Sequence, residues 1–119
     1  MGQGFRNLIV WQKGIVLAKE TYALTAKLPK NEQYGLGSQM QRAAVSIPSN
    51  LAEGSKRGTK KDFAQFVRIA IGSAAELETQ LVIAKEVYPS LRTEVVNSTL
   101  REVSAMLVKL LQSTQRIRD

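Results

Sequence analysis

The chain has 119 residues, a length typical of one domain that can bury a hydrophobic core. Its 17 Lys and Arg residues against 10 Asp and Glu give a formal net charge of +7, which favours polyanionic partners. The absence of cysteine and histidine excludes disulfides, thiolate metal sites, and the commonest general base and metal ligand. No signal-peptide pattern stands at Met1–Asn7 and no apolar run reaches membrane-spanning length, so we expect a cytoplasmic protein.

Apolar residues recur at helical spacing along four segments, and no two-residue alternation typical of a strand appears. These segments predict helices at about residues 7–28, 32–53, 60–87 and 90–116, within one domain spanning 1–119. Pro29, Gly58 and Pro89 separate them, and Thr59 followed by Asp62 predicts an N-cap for the third helix. Short connections between long helices predict an all-α, antiparallel up-down-up-down four-helix bundle. The apolar stripes are wider than one bundle core needs, which indicates self-association.

The segment from Gln39 to Gly54 combines a helical pattern with features that a helix normally avoids. Pro48, in its interior, removes one backbone hydrogen bond and clashes with the carbonyl of Ala44. We expect Ser46 or Asn50 to help satisfy the backbone that Pro48 frees. Gly54 stands where a helix ends with a left-handed residue.

Polar residues lie among apolar neighbours in this segment and in the third helix, and two interpretations of them are open. One is a ligand or active site with paired carboxylates, and the other is a buried polar network between helices two and three. We favour the structural interpretation, with Arg42 paired to a carboxylate such as Glu76, because buried charges must be paired. The set comprises Gln39, Arg42, Ser46, Asn50, Glu53, Ser73, Glu76 and Gln80.

The densest positive charge lies around the predicted start of the third helix. It is either a patch that binds a phosphate backbone or an ordinary solvated helix end. Lysines at a helix N-terminus oppose the macrodipole, so local electrostatics do not explain Lys60 and Lys61. The candidates for nucleic-acid binding are Lys56, Arg57, Lys60, Lys61 and Arg68, then Arg101 and Lys109, with Lys13, Lys19, Arg116 and Arg118 as secondary positions. No phosphate-binding glycine loop, zinc spacing or helix-turn-helix is present, so any such binding would depend on charge and shape.

Four sequence elements together form a distinctive pattern. The block from Arg42 to Gly54, which reads RAAVSIPSNLAEG, is the most specific of the four. The supporting elements are Leu8 with Trp11, the corner formed by Leu28, Pro29, Glu32, Gly35, Leu36 and Gln39, and Ala70 with Gly72, Ser73, Glu76 and Leu77. Together these elements resemble the small proteins encoded within intervening sequences of bacterial 23S ribosomal RNA genes. The resemblance extends to the accessory variability determinant proteins of diversity-generating retroelements, and it leaves open which branch applies.

The resemblance implies an antiparallel four-helix bundle that assembles into a homopentameric, barrel-like ring. In the retroelement branch such a ring binds nucleic acid and a reverse transcriptase through its basic surface. Two hypotheses follow. The first is a non-enzymatic scaffold that binds RNA or a DNA–RNA hybrid by charge and shape. The second is an adaptor that docks a protein such as a reverse transcriptase, with no nucleic-acid affinity of its own. Neither requires a cofactor, a metal, a membrane or a catalytic residue.

Overall fold

The computed structural model describes residues 4–116, apart from the side chain of Arg116, and contains no strand within that range. The protein is all-α, with short 3-10 turns at Gly4–Asn7 and Lys30–Glu32 before the first two helices. The four helices are α1 at Ile9–Thr25, α2 at Leu36–Ser55, α3 at Lys60–Val87 and α4 at Glu94–Arg116.

Three of the four helices begin later than the apolar periodicity predicts. A 3-10 turn ends at the predicted start of each of the first two helices, at Asn7 and Glu32, and the α-helices begin two to four residues later; α1 ends at Thr25 instead of about residue 28. The fourth helix begins at Glu94, after the loop that follows α3, and not at about residue 90. The third helix spans Lys60–Val87, and its predicted cap is confirmed, because the Asp62 backbone N–H donates to Thr59 Oγ1 at 3.1 Å.

Each helix packs against its sequence neighbours, and α1 also packs against α4. Contacts along α2 and α3 run in opposite orders: Ser46 bonds Ser73, whereas Gly54, further along α2, meets Phe66, which precedes Ser73 on α3. All four helices contribute to one apolar core. Burying each large aliphatic side chain there contributes about 1.5–3 kcal/mol. The large apolar side chains with almost no exposure include Leu17, Met40, Ile47, Leu51, Leu77, Leu81 and Leu107.

The helix α2 continues through Pro48 without interruption. The proline ring is buried against α1 at Gly14, where an added Cβ would lie 3.4 Å from Pro48. Asn50 Nδ2 does bond the α2 backbone, but at the Ser46 carbonyl, 2.8 Å away. No side chain of the described residues donates to the Ala44 carbonyl, so the predicted compensation for Pro48 is wrong.

Gly54 is not the left-handed terminus that its sequence position predicts. It is buried inside α2, and a Cβ at Gly54 would lie 2.6 Å from Phe66 Cβ. The residue with left-handed backbone is Gly58, with φ of 92°, in the turn between α2 and α3. Gly54 is therefore required by the close approach of α3 to α2, whereas Gly58 is required by the turn.

Candidate nucleic-acid interface

The positive charge predicted near the start of α3 lies on an exposed turn and on the exposed side of α3. We call Lys56, Arg57, Lys60, Lys61 and Arg68 the basic cluster, and all five side chains are exposed. The α2 helix ends just before Lys56, Gly58 reverses the chain, and Thr59 caps α3. The turn therefore places four of the five cations within a few residues of one end of the bundle.

Within the basic cluster, Arg57 differs from the other members because it already has partners in the chain. Its guanidinium donates to Glu53 Oε2 at 2.7 Å and lies over the Phe66 ring, 4.8 Å from the centroid. Both charged side chains of this pair are about half exposed, at 50% and 54%, so the ion pair contributes little to stability. These contacts hold Arg57 in place and leave it less available to an external anion.

Four members of the basic cluster have no acidic partner in the described part of the chain. No carboxylate of residues 4–115 forms a salt bridge with Lys56, Lys60, Lys61 or Arg68. Arg68 has one polar contact, to Gln65 Oε1 at 3.4 Å. Lys60 and Lys61 stand in the first turn of a 28-residue helix, where the macrodipole disfavours cations. The fold therefore supplies no internal reason for this concentration of charge.

The secondary basic positions are spread along α4 and α1. Lys85 Nζ donates to the Leu91 carbonyl at 2.8 Å, which fixes one end of α3 beside the start of α4. Arg68 and Lys109 each lie roughly 25 Å along their own helices from that bond, at the rise of about 1.5 Å per residue. Arg101 is also exposed, nearer the middle of α4.

On α1, Lys19 is exposed, whereas Lys13 is paired with Glu102 at 3.2 Å. The side chain of Arg116 and the whole of Arg118 lie outside the described residues. Among the secondary candidates for nucleic-acid binding, Lys13 therefore already has an acidic partner within the chain.

A cleft of about 340 Å³ next to Lys60 was not predicted from the sequence. Its lining includes Phe5 and Phe63, together with Gly54 and Gly58. Aromatic faces beside cations are the combination that proteins use to hold unpaired bases. Helical periodicity assigns Phe63 to the core, and Phe5 precedes the first helix, so no sequence pattern joins the two.

The predicted polar network forms in part. Ser46 Oγ and Ser73 Oγ lie 2.8 Å apart across α2 and α3, and Asn50 Nδ2 donates to Ser46 Oγ at 2.9 Å. Gln80 is buried as expected, but its Oε1 has no hydrogen-bond partner among the described residues. Ser46, Asn50 and Ser73 thus form the whole of the connected network.

The charged half of the predicted network does not form in the single chain. Arg42 and Glu76 are both exposed and no salt bridge joins them, so the predicted buried pair is wrong. Gln39 and Glu53 are exposed as well, and Glu53 pairs with Arg57. The physical reason is position on the helix: Ser46 and Asn50 sit at the edge that faces α3, whereas Arg42 lies further round towards solvent.

The bond between Ser46 and Ser73 can be measured with a double-mutant cycle. We expect Ser46→Ala and Ser73→Ala to show a coupling free energy of about 0.5–1.5 kcal/mol in urea unfolding, because one hydroxyl satisfies the other. The control is a Ser49→Ala and Ser73→Ala cycle, since Ser49 is exposed on α2 and should show no coupling. Equal coupling in both cycles would contradict the assignment of this hydrogen bond.

A second cleft was not predicted from the sequence either. A cleft of about 660 Å³ opens between the end of α1 and the start of α4. We call it the corner cleft, and its lining includes Glu20, Leu24, Lys27, Leu28, Arg92 and Val95. Glu20 has an Oε1 atom with almost no accessible surface and no hydrogen-bond partner among the described residues. The sequence pattern does not indicate this cleft, because Glu20 has the spacing of an ordinary surface charge on α1.

The corner cleft is bordered by a hydrogen bond between two loops. Tyr88 Oη donates to Glu32 Oε2 at 2.6 Å, linking the α1–α2 connection to the α3–α4 connection. This bond, together with desolvation and the negative charge of Glu32, raises the pKa of Tyr88 above 10.0. Because the pKa of Tyr88 is raised in the folded state, the Tyr88–Glu32 hydrogen bond stabilises the fold fully below pH 10.0. This stabilisation is lost as the pH rises through the pKa that Tyr88 has in the folded protein.

This linkage predicts a pH profile in thermal unfolding. We expect the melting temperature of the wild type to exceed that of Tyr88→Phe by a constant amount up to about pH 10, and the difference to shrink above it. Tyr22→Phe serves as the control, because the Tyr22 hydroxyl bonds no carboxylate among the described residues. A difference between wild type and Tyr88→Phe that stays constant in strong alkali would contradict the Tyr88–Glu32 bond.

The remaining chemistry of the described residues is limited. No group of three or more His, Cys, Asp or Glu side chains within residues 4–115 is arranged to hold a metal ion. None of the helices in the described range is long and apolar enough to cross a membrane. The basic cluster is thus the feature with the clearest chemical preference, and that preference is for anions.

Comparison with known proteins identifies one relationship. The model of the 23S rRNA-intervening sequence protein family matches residues 6–109, from the 3-10 turn before α1 to the second half of α4. No curated protein matches the chain. Because the match covers all of α1, α2 and α3 and most of α4, the chain belongs to the 23S rRNA-intervening sequence protein family.

Proposed function

We propose that this protein is a non-enzymatic oligomeric scaffold that binds RNA, or a DNA–RNA hybrid, through the phosphate backbone. The observation that carries the proposal is the basic cluster, in which four exposed cations have no acidic partner among residues 4–115. Phosphates would supply the negative charge that these cations lack within the chain. The N-terminus of α3 would also favour a bound phosphate, because the helix macrodipole is positive there. The partner is thus recognised by charge and shape.

The reversed order of contacts along neighbouring helices supports an up-down-up-down arrangement. Ser46 meets Ser73 and Gly54 meets Phe66, while Lys13 pairs with Glu102 and Glu20 shares the corner cleft with Val95. In that arrangement the α2–α3 turn and the end of α4 stand at one end of the bundle. The basic cluster would then occupy a single pole of each subunit.

Self-association is supported by large apolar side chains that remain exposed on several helices. Ile9 is 59% exposed, Val82 58% and Val95 64%, which is more than a solitary bundle usually leaves to water. The homopentameric ring implied by the family resemblance would cover part of this surface. It would also repeat the basic cluster around one axis, so that weak phosphate contacts add through avidity.

The test is the light-scattering mass of the purified protein, alone and with structured RNA, across a salt series. We expect an oligomer that takes up RNA at low salt and releases it as salt rises, because bound cations displace condensed counterions. An oligomer that ignores RNA at every salt concentration would contradict nucleic-acid binding. It would favour the adaptor function, in which the ring docks a protein such as a reverse transcriptase. A monomer would contradict the scaffold itself.

A further inference from the structure

Tyr34 is the most exposed of the large apolar and aromatic side chains in the described residues, with 98% of its surface open to solvent. It lies between the 3-10 turn Lys30–Glu32 and the start of α2 at Leu36. A tyrosine presents a broad apolar ring as well as a hydroxyl, and such residues usually bury the ring or serve at an interface. Tyr34 does neither within its own chain.

The backbone that carries Tyr34 is fixed on both sides. Gln33 Nε2 donates to the carbonyls of Thr25 and Leu28, at 3.2 and 3.3 Å. The Gly35 backbone N–H donates to the Glu32 carbonyl at 3.1 Å, and Glu32 is held by Tyr88. Because the turn is already ordered, placing the tyrosine ring in a partner would cost little additional backbone entropy.

The corner cleft has the properties that would accommodate a tyrosine. Its walls include the apolar side chains of Leu24, Leu28 and Val95, and its volume is about 660 Å³. Glu20 is one of the lining residues, and its Oε1 atom has almost no accessible surface and no donor among the described residues, which is unfavourable. A phenol would reach this atom once the Glu20 side chain turns into the cleft. A phenol hydroxyl is a donor that fits a carboxylate, and the lining cations Lys27 and Arg92 could contact the face of its ring.

The occupant would have to come from another copy of the chain. Tyr34 is fully open to solvent and is not part of the lining of its own corner cleft. A projecting residue and a cleft at different places on the same subunit form a head-to-tail contact, which generates a closed ring when the rotation permits. We propose that Tyr34 of one subunit inserts into the corner cleft of the next, with its hydroxyl donating to Glu20. This inference rests on the proposed self-assembly and assigns one of its contacts.

The experiment uses the absence of cysteine in the natural chain. One protein carries Asn31→Cys, an exposed position near Tyr34, and the other carries Val95→Cys in the cleft lining. The two are distinguished by an affinity tag on one of them, mixed, and treated with a short bis-maleimide cross-linker. We expect a heterodimer band, which Tyr34→Ala in the Asn31→Cys chain should abolish. The control replaces Val95→Cys with Val108→Cys, an exposed position further along α4.

The hydroxyl contact has its own test in solution. Because Tyr34 is exposed, Tyr34→Phe should leave the helical circular dichroism unchanged and should weaken assembly about tenfold. Adding Glu20→Leu to Tyr34→Phe should restore most of that loss, since the buried acceptor is then removed together with its donor. Equal assembly by wild type and Tyr34→Phe would overturn the proposed hydrogen bond.

The outcomes separate this inference from the proposed function. An oligomer that gives no cross-link, or gives equal cross-linking with the Val108→Cys control, would overturn the Tyr34 contact and leave the scaffold intact. A wild type that is monomeric by light scattering would overturn both. A cross-link that depends on Tyr34 and is specific for Val95→Cys would support the contact.

Discussion

Replacing Lys56, Lys60 and Lys61 with glutamine should weaken binding of structured RNA by about 10²–10³-fold at low salt. Each lysine that contacts a phosphate displaces about 0.7–0.9 of a counterion, so the slope of log affinity against log salt should fall by about 2–3 units. All three side chains are exposed and form no salt bridge with residues 4–115, so their removal should not disturb the fold. Fluorescence anisotropy of labelled RNA across a salt series measures both quantities.

Arg57 is left unchanged in this variant for a structural reason. It bonds Glu53 and lies over Phe66, so its replacement would disturb the end of α2 as well as removing a charge. A loss of RNA binding in an Arg57 variant could not then be assigned to phosphate contact. The three lysines separate the electrostatic effect from packing.

The control is a second triple variant with the same change in charge, made away from the turn between α2 and α3. Lys30→Gln, Gln39→Glu and Arg42→Gln also lower the formal net charge by three, from +7 to +4, and all three side chains are exposed. If RNA is held by the basic cluster, this control should keep nearly all of the salt slope. Equal losses in the two variants would show that net charge alone attracts RNA, and would contradict a localised interface. The light-scattering mass of both variants should match that of the wild type.

The sequence predicts those parts of the fold that depend on local patterns. Apolar periodicity locates four helices, and the pair Thr59 and Asp62 predicts the cap of α3. Helix starts are less predictable, because 3-10 turns such as Lys30–Glu32 use the same polar residues as a first helical turn. One of those turns, Lys30–Glu32, leads directly into the segment that carries Tyr34.

The predicted polar network shows why a helical pattern alone is insufficient. Periodicity gives the angular spacing of Arg42 and Ser46 on α2, but not the rotation of α2 about its own axis. A small rotation decides whether a polar stripe lies between helices or in water. The structure puts Ser46 against Ser73 and leaves Arg42 and Glu76 exposed. Ser46, Asn50 and Ser73 were therefore predictable as network residues, whereas the exposure of Gln39, Arg42 and Glu76 was not.

Contacts between loops cannot be predicted from helical periodicity at all, because the loops have no periodic pattern. Glu32 and Tyr88 are 56 residues apart and lie in connections that carry no periodic signal. The same holds for the corner cleft, where Glu20 on α1 meets residues at the start of α4. Their proximity follows from how the helices pack, so it can be read only from the structure. The positive charge of the basic cluster, by contrast, is visible in the sequence, because its members all lie within residues 56–68.

Gly54→Ala should destabilise the protein, whereas Gly72→Ala should stabilise it, although both replace a glycine inside a helix. Alanine has a better helix propensity than glycine by about 0.8–1 kcal/mol, and this gain applies at both sites. At Gly72 the added Cβ has no neighbour within 4 Å, so we expect the free energy of unfolding to rise by about 0.5–1 kcal/mol. At Gly54 the added Cβ would lie 2.6 Å from Phe66 Cβ, so overpacking should outweigh the gain and lower that free energy by about 1–3 kcal/mol.

The contrast between the two variants tests the packing of α2 on α3 directly. The nearest atom to the added methyl group is Phe66 Cβ, so no rotation of the Phe66 side chain relieves the contact and the helices themselves must separate. Urea unfolding at one fixed protein concentration compares the variants, because assembly would make stability depend on concentration. Equal stabilisation by both substitutions would show that α3 does not approach Gly54 closely. Separation of α2 and α3 at Gly54 would also move Phe66 from beneath Arg57. We therefore expect Gly54→Ala to alter RNA binding as well as stability. Gly72→Ala should leave RNA binding unchanged.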